Sequence, residues 1–382
     1  MRILFFQWNS FLNPGIEAAL QKLKIEYEIF HYNFKDWEKD EHFLEQFDLK
    51  LCNSEVELVL SVDYSPLIAE VCHDRDIPYA AWIYDSPIHI HSTREMMYPT
   101  TNLFCFDRGQ AQVYQKQGIR AFHLPLAANP RQFLKEKISA ADRKKYQAQV
   151  SFVGQLYKTE YTYYCGPLTT YQRGYLDGII NAQGKVYGAY FIPDLLSDEL
   201  LQGMNEQYHM ASGGTASITK KELEYMLACE VTSRERYVAL AVLSNHFQVK
   251  HYAQTADERL TRVEFMGYAD YYHEMPKIFR LSDVNLNISL KTIQTGIPLR
   301  CIDVLACGGF LISNYQEELA EYFRLGEELI TYGDLEELVY LADVYLKDPA
   351  GRNQIARCGQ ERIRQDFTYE RALQQIQREL GL

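Results

Sequence analysis

Two places in this sequence combine residue types that could do chemistry. The first lies within Leu281–Tyr315, LSDVNLNISLKTIQTGIPLRCIDVLACGGFLISNY, where Lys291 and Arg300 flank an expected helix start and Asp303 follows about one turn in. Amides at a helix start have no partner within the helix, and the helix dipole favours an anion beside them. A carboxylate one turn further on can accept sugar hydroxyls, and phosphate at a helix start with a carboxylate on ribose is how nucleotides are held. The same spacing suits an ordinary α/β unit in which Asp303 only caps or faces solvent. The second place is Asp85-Ser86-Pro87-Ile88-His89-Ile90-His91. Asp85 could deprotonate a hydroxyl, and His89 or His91 could do so with a pKa nearer neutrality. The competing reading makes Asp85 a turn cap and leaves the histidines to shape the loop. No fourth ligand accompanies these three, so no metal is expected.

The elements that must position these residues are readable from periodicity. Val284–Ile288 alternates as a short strand, with Asn287 near its end, and the polar loop Ser289–Gly296 follows it. Ile297-Pro298 starts a helix, since proline suits the first helical position. The helix Leu299–Ala306 stops at Gly308-Gly309, and Phe310–Ile312 is a buried strand. Upstream, Arg2–Gln7, Ile25–Tyr32, Val56–Val62 and Pro78–Tyr84 read as strands, with helices at Ile16–Leu23, Trp37–Phe47 and Ser65–Cys72 between them. Leu103–Phe106 and Ala121–Leu124 continue the series around a helix at Gln110–Gln117. Continuous apolar strands alternating with helices imply parallel sheets covered on both faces. In such sheets ligands lie beyond the carboxyl ends of the strands, which is where the Asp85 loop falls.

The run Asp303-Val304-Leu305-Ala306-Cys307-Gly308-Gly309 resembles a segment of glycosyltransferases with the two-Rossmann-domain GT-B fold. The longer run Arg300–Tyr315, with Glu318-Leu319, Phe323, Arg352, Ile355-Ala356, Gly359 and Glu361-Arg362, resembles the C-terminal half of CgeB-like (spore-maturation) glycosyltransferases. Asp63-Tyr64-Ser65-Pro66 through Asp85-Ser86-Pro87 is similar to their N-terminal part. The resemblance implies that Asp303, a Glu in the broader retaining relatives, binds ribose, and that Gly267 with Tyr268 holds the nucleobase. It implies phosphate contacts near Gly154 and Lys158, with Gln155 standing where an Arg is often found. Thr295 stands where those relatives carry a second Glu near the donor sugar. Asn287, Lys291, Thr295, Gly296 and Arg300 complete the nucleotide-sugar site, and Asp85, His89 and His91 are the catalytic candidates.

The expected fold class is therefore α/β, GT-B, with two Rossmann-like doubly wound domains. Residues 1–134 form an acceptor domain, 135–148 a linker, and 149–366 the nucleotide-sugar domain with a helical insertion at 159–236. Arg236–Asn245 is expected as a separate helix that resumes the α/β rhythm, and 367–382 as a helix packing back on the first domain. A chain of 382 residues, 47% hydrophobic, can fill two such cores. A net charge of −12 argues against nucleic acid or an anionic membrane as main partner. Eight cysteines without paired spacing point to a reducing, cytoplasmic setting. The MRILFF start is too short for a signal peptide, and no apolar run reaches membrane length. The expected activity is metal-independent transfer from a nucleotide sugar, UDP-linked ahead of GDP-linked, to an acceptor hydroxyl, with no further cofactor. A catalytically idle nucleotide- or glycan-binding module and a sugar-nucleotide epimerase are the alternatives. The insertion is a candidate acceptor wall or homodimer contact.

Overall fold

The computed structural model describes residues 2–382. By internal contacts the chain divides into two compact units. The first comprises Met1–Arg131, Thr295–Ile302 and Glu361–Leu382; the second comprises Gln132–Gln294 and Asp303–Gln360. Each holds a six-stranded parallel sheet.

In the first unit the strands are β1 (Arg2–Gln7), β2 (Glu26–His31), β3 (Leu58–Val62), β4 (Tyr79–Ile83), β5 (Thr101–Cys105) and β6 (Ala121–His123). They run in the order β2-β1-β3-β4-β5-β6. β3, β4 and β5 are buried at every residue, as befits central strands covered on both faces. β2, EYEIFH, lies at the sheet's edge and keeps its charged residues toward water. The helix expected over Trp37–Phe47 instead occupies Glu41–Cys52, because Asp40 caps it by accepting the Phe43 amide at 3.0 Å. Trp37 is left in the preceding loop, edge-on to Trp8. The closing helix Tyr369–Leu380 belongs to this unit and packs on the helix Asn13–Leu23, with Lys22 and Glu370 paired at 2.6 Å. Ala128 donates to the Phe367 carbonyl and Gln375 to that of His123, so the chain end is tied by backbone as well.

In the second unit the strands are β7 (Ala148–Val153), β8 (Val249–Tyr252), β9 (Glu264–Gly267), β10 (Ser282–Asn287), β11 (Leu311–Asn314) and β12 (Ile330–Tyr332). Their order, β9-β8-β7-β10-β11-β12, reverses direction between β7 and β10, the switch at which doubly wound sheets bind ligands. The stretch expected as a linker contains a helix, Ala140–Tyr146, because Ser139 and Asp142 form a complete capping box. Between β7 and β8 lie the helices Tyr161–Cys165, Thr170–Gln183, Asp198–Ser212 and Lys220–Leu243. The first three, with the front half of the fourth, share a core around Leu176, Ile180, Met204, Leu223 and Leu227 that is separate from the sheet's own.

The fourth helix corrects the sequence reading. The helix expected over Arg236–Asn245 is, as far as Leu243, the back part of one 24-residue helix, Lys220–Leu243, started by a Thr219/Glu222 capping box and broken by no glycine or proline. Its apolar face changes partner midway. Leu223, Leu227, Ala228 and Val231 join the insertion core, while Ala239, Leu240 and Leu243 join the sheet core. Two faces in succession blur a single helical period.

Candidate functional site at the strand ends

In the second unit the switch between β7 and β10 is gripped by that long helix. Thr232, Glu235 and Arg236 lie three and four residues apart, so they share one face. The Lys291 amide donates to Thr232 Oγ1 at 3.1 Å, fastening the loop that follows β10. Arg236 donates to the carbonyls of Gln155, after β7, and Ile288, after β10, at distances of 2.5–3.1 Å. Its guanidinium also lies over the rings of Phe152 and Tyr157. Glu235 pairs with Lys291 at 3.0 Å, their side chains only 3% and 8% exposed, and the ammonium stands 4.4 Å from the centre of the Tyr187 ring. Burial and the neighbouring Glu235 carboxylate push the Tyr187 phenol up. None of the three helix residues was singled out from sequence. The available signal was a Thr-x-x-Glu-Arg run on one face of an otherwise apolar helix.

The named candidates of this unit fall into three groups. Gly154 is half-buried beside the switch, with its carbonyl taking a hydrogen bond from His251 Nε2 at 2.8 Å. Asn287, fully buried at the end of β10, donates to Ser289 Oγ and Ser313 Oγ, bracing the strand ends. Lys291 is held in the ion pair just described. Gly267 turns the chain in the left-handed conformation at the end of β9, the edge strand, with β8 between it and β7, and Tyr268 follows, 63% exposed. Lys158 is exposed. Asp303 is 4% exposed and accepts from the Tyr271 hydroxyl at 3.0 Å. It lines a narrow recess of about 130 Å³, open solvent included, with Phe133, Tyr271, Met275, Phe279 and Cys307. It therefore faces neither open solvent nor a capping role alone.

Thr295, Gly296 and Arg300 fall in the first unit's middle segment. Thr295 donates from both amide and hydroxyl to Asp107 Oδ1, at 3.1 and 3.0 Å, and its hydroxyl oxygen accepts the Gly109 amide. Gly296 lies so close to Asp107 that a Cβ there would sit 2.8 Å from its Cα. Arg300 is half-buried. Asp107, fully buried, also caps the helix Arg108–Lys116, an acid at a strand end before a helix. Sequence reading passed over it for lack of any local partner.

The first unit also carries a carboxylate pair at the ends of β3 and β4. Asp63 adopts a left-handed backbone, φ 58°, and its Oδ1 accepts the amides of Tyr84 (2.7 Å) and Asp85 (3.1 Å). Its other oxygen is buried without a hydrogen-bond partner. Burial first, and the charge of Asp85 second, raise the Asp63 carboxyl to about 7. Asp85 is exposed as a residue, yet its carboxyl also rises through desolvation, against the pull of His89. His91, 96% exposed, pairs with Glu38 at 2.6 Å. His89 is exposed. Among the described residues no group of three His, Cys, Asp or Glu side chains could hold a metal ion, and no helix is long and apolar enough to cross a membrane.

A sequence profile of the family described as "Glycosyl transferase-like" matches residues 228–378, the stretch from the long helix through Asp303 to the closing helix. No curated protein matches in sequence. Among solved structures, HepE from Anabaena in complex with UDP and glucose is 12% identical, covers 100% of this chain and 99% of its own, and gives a TM-score of 0.57. Sucrose-phosphate synthase from Thermosynechococcus elongatus gives the same identity, coverage and score. A glycosyltransferase from Rickettsia africae, 8% identical, covers 98% of this chain and 96% of its own at 0.54. At such identities the likeness establishes the fold. It is GT-B, with two Rossmann-like domains, as the sequence led one to expect.

Proposed function

We propose that this chain is a glycosyltransferase that moves a sugar from a UDP-sugar to an acceptor hydroxyl without a metal ion. The observation that carries the reading is the family match over 228–378. It spans the strand after the switch, its loop, and the helix bearing Asp303, within a GT-B chain. That HepE was solved with UDP and with UDP-glucose favours uridine over guanosine for the donor. CgeB-like proteins remain the narrower group that its motifs resemble.

In this reading Asp303 accepts the ribose hydroxyls and Gly267 with Tyr268 holds the base. Helix-start amides with Arg300 stabilise the diphosphate as it leaves, doing by preorganised charge what a metal does elsewhere. Asp85 takes the proton of the acceptor hydroxyl, and its raised pKa favours that task near neutral pH. His91 is set aside as the base by its pairing to Glu38. The test is calorimetry and thermal shift with UDP, GDP, ADP and their sugars, with and without magnesium, followed by donor hydrolysis. A selective, magnesium-independent UDP response that Asp303→Ala abolishes is the expected result. Binding and turnover unchanged in Asp303→Ala would place the nucleotide elsewhere.

A further inference from the structure

The helix Thr170–Gln183 of the insertion has two unlike faces. Leu176, Ile179 and Ile180 are buried in the insertion's own core and fix the inner face. The outer face carries Tyr171, Gly174, Tyr175 and Gly178, three and four residues apart and all exposed. Tyr171 is 76% exposed, and its ring lies beside that of Tyr175, with centres 6.3 Å apart and planes 30° from parallel. Tyr175 is held in place by donating its hydroxyl to the Leu195 carbonyl at 2.9 Å. From Thr162 to Leu176 the sole charged residue is Arg173, and its guanidinium is taken up by the Leu168 and Gly166 carbonyls. Exposed rings on a surface depleted of charge have the composition of the centre of a protein interface.

The fold itself requires neither glycine. Both lie within a regular helix, where glycine is less favourable than alanine, and a Cβ at either would meet no atom within 4 Å. They leave two hollows beside two rings. The spacing identifies what fits them. The pairs Tyr171/Gly178 and Gly174/Tyr175 share one midpoint along the helix. A two-fold axis through that midpoint, at right angles to the helix, lays a second copy of the helix antiparallel on the first. Tyr171 of each copy then enters the hollow at Gly178 of the other, while Gly174 and Tyr175 meet their own counterparts beside the axis. Such reciprocity is what a two-fold interface demands, and the missing Cβ atoms let the two helix axes come close. A partner of another kind would not call for ring and hollow to alternate about one point.

We infer that the outer face of Thr170–Gln183 is a homodimer interface, in which two copies of this chain pair antiparallel through their insertions with each Tyr171 packed on the other's Gly178. The inference is independent of the glycosyltransferase reading and makes the insertion an assembly module.

The experiment measures mass in solution, by sedimentation velocity and light scattering, for the wild-type chain, Gly178→Gln, Tyr171→Ala and Tyr340→Ala. Wild type is a dimer at about 10 µM. Gly178→Gln fills the hollow, and a better helix former in open space keeps the fold, which circular dichroism checks. It and Tyr171→Ala each weaken dimerisation at least about tenfold. Tyr340 is comparably exposed but sits on the helix Leu335–Lys347, packed on the sheet core, and Tyr340→Ala leaves the dimer within about twofold. With the exposed Cys52 replaced by Ser, Gly174→Cys gives a disulfide-linked dimer on mild oxidation, because it lies beside the axis. Should Gly178→Gln fail to fold, Tyr171→Ala decides the matter. A wild-type chain that stays monomeric to about 100 µM overturns the inference, whatever else the rings then stack on. A dimer that Gly178→Gln and Tyr171→Ala leave intact, or that Tyr340→Ala disrupts as strongly, puts the contact elsewhere and overturns it too. Loss of the dimer in Gly178→Gln without cross-linking in Gly174→Cys overturns the antiparallel arrangement.

Discussion

At the strand ends of the first unit stand Asp63, Asp85 and Asp107, acids whose carboxylates or adjoining amides are drawn into turns. At the strand ends of the second stand Asn287, Ser289, Asn314 and a lysine already neutralised by a glutamate. The two sheets share strand number and parallel direction, yet one edge offers proton acceptors and the other offers dipoles. Shared architecture thus says little about chemistry, and the residues that close each strand decide it. A carboxylate edge suits proton removal from an acceptor. A dipolar edge suits uncharged hydroxyl groups.

The largest expected effect tests whether the second edge depends on its ion pair. Glu235→Ala leaves the Lys291 charge buried alone and costs about 3–5 kcal/mol, a fall in Tm of order 10 °C by scanning calorimetry. Adding Lys291→Met to Glu235→Leu recovers most of that loss; a double variant as unstable as the single one would show that the pair is not the cause. Next is Asp303→Ala, which removes a charged acceptor and weakens UDP by about 2 kcal/mol, on the order of thirtyfold, and lowers Tm by a few degrees because the Tyr271 hydroxyl loses its buried acceptor.

The first edge is sharpened by pH. The Asp63 carboxyl, raised by folding to about 7, takes up a proton when the chain folds. Its contribution to stability is therefore full below the unfolded value of about 4 and is lost as pH rises through 7. Asp63→Asn keeps an oxygen for the two amides and tolerates the left-handed backbone. Its stability gain over wild type is expected to be larger at pH 8 than at pH 4 by up to about 4 kcal/mol, read as a rise in Tm that is near zero at pH 4. A gain of equal size at both pH values would sink the argument. The same edge predicts a contrast in turnover. Asp85→Asn lowers kcat by about 100-fold or more, whereas His91→Ala stays within about twofold because its exposed pair with Glu38 is worth little. Equal losses would return the histidine to the site.

Much of this was legible in residue order. Continuous apolar strands, the Ile297-Pro298 helix start and the Gly308-Gly309 stop are local signals, and the β10–helix–β11 unit lies where they placed it. Helix starts failed where a cap outweighed hydrophobic period, as at Asp40 and Ser139. The long helix was missed because its two halves face different cores.

By itself the sequence determined the strands, most helices and the place of Asp303 on its helix, because each depends on neighbours within a few turns, while the GT-B organisation came from the resemblance of its motifs to a known family. Only the tertiary structure decided that Glu235 meets Lys291, 56 positions further on, that Thr295 is spent on Asp107, and that Asp63 holds the Asp85 loop. Charge and hydrogen bonding act through space over a few ångströms, so a side chain's chemical role is set by which distant segment folding brings beside it.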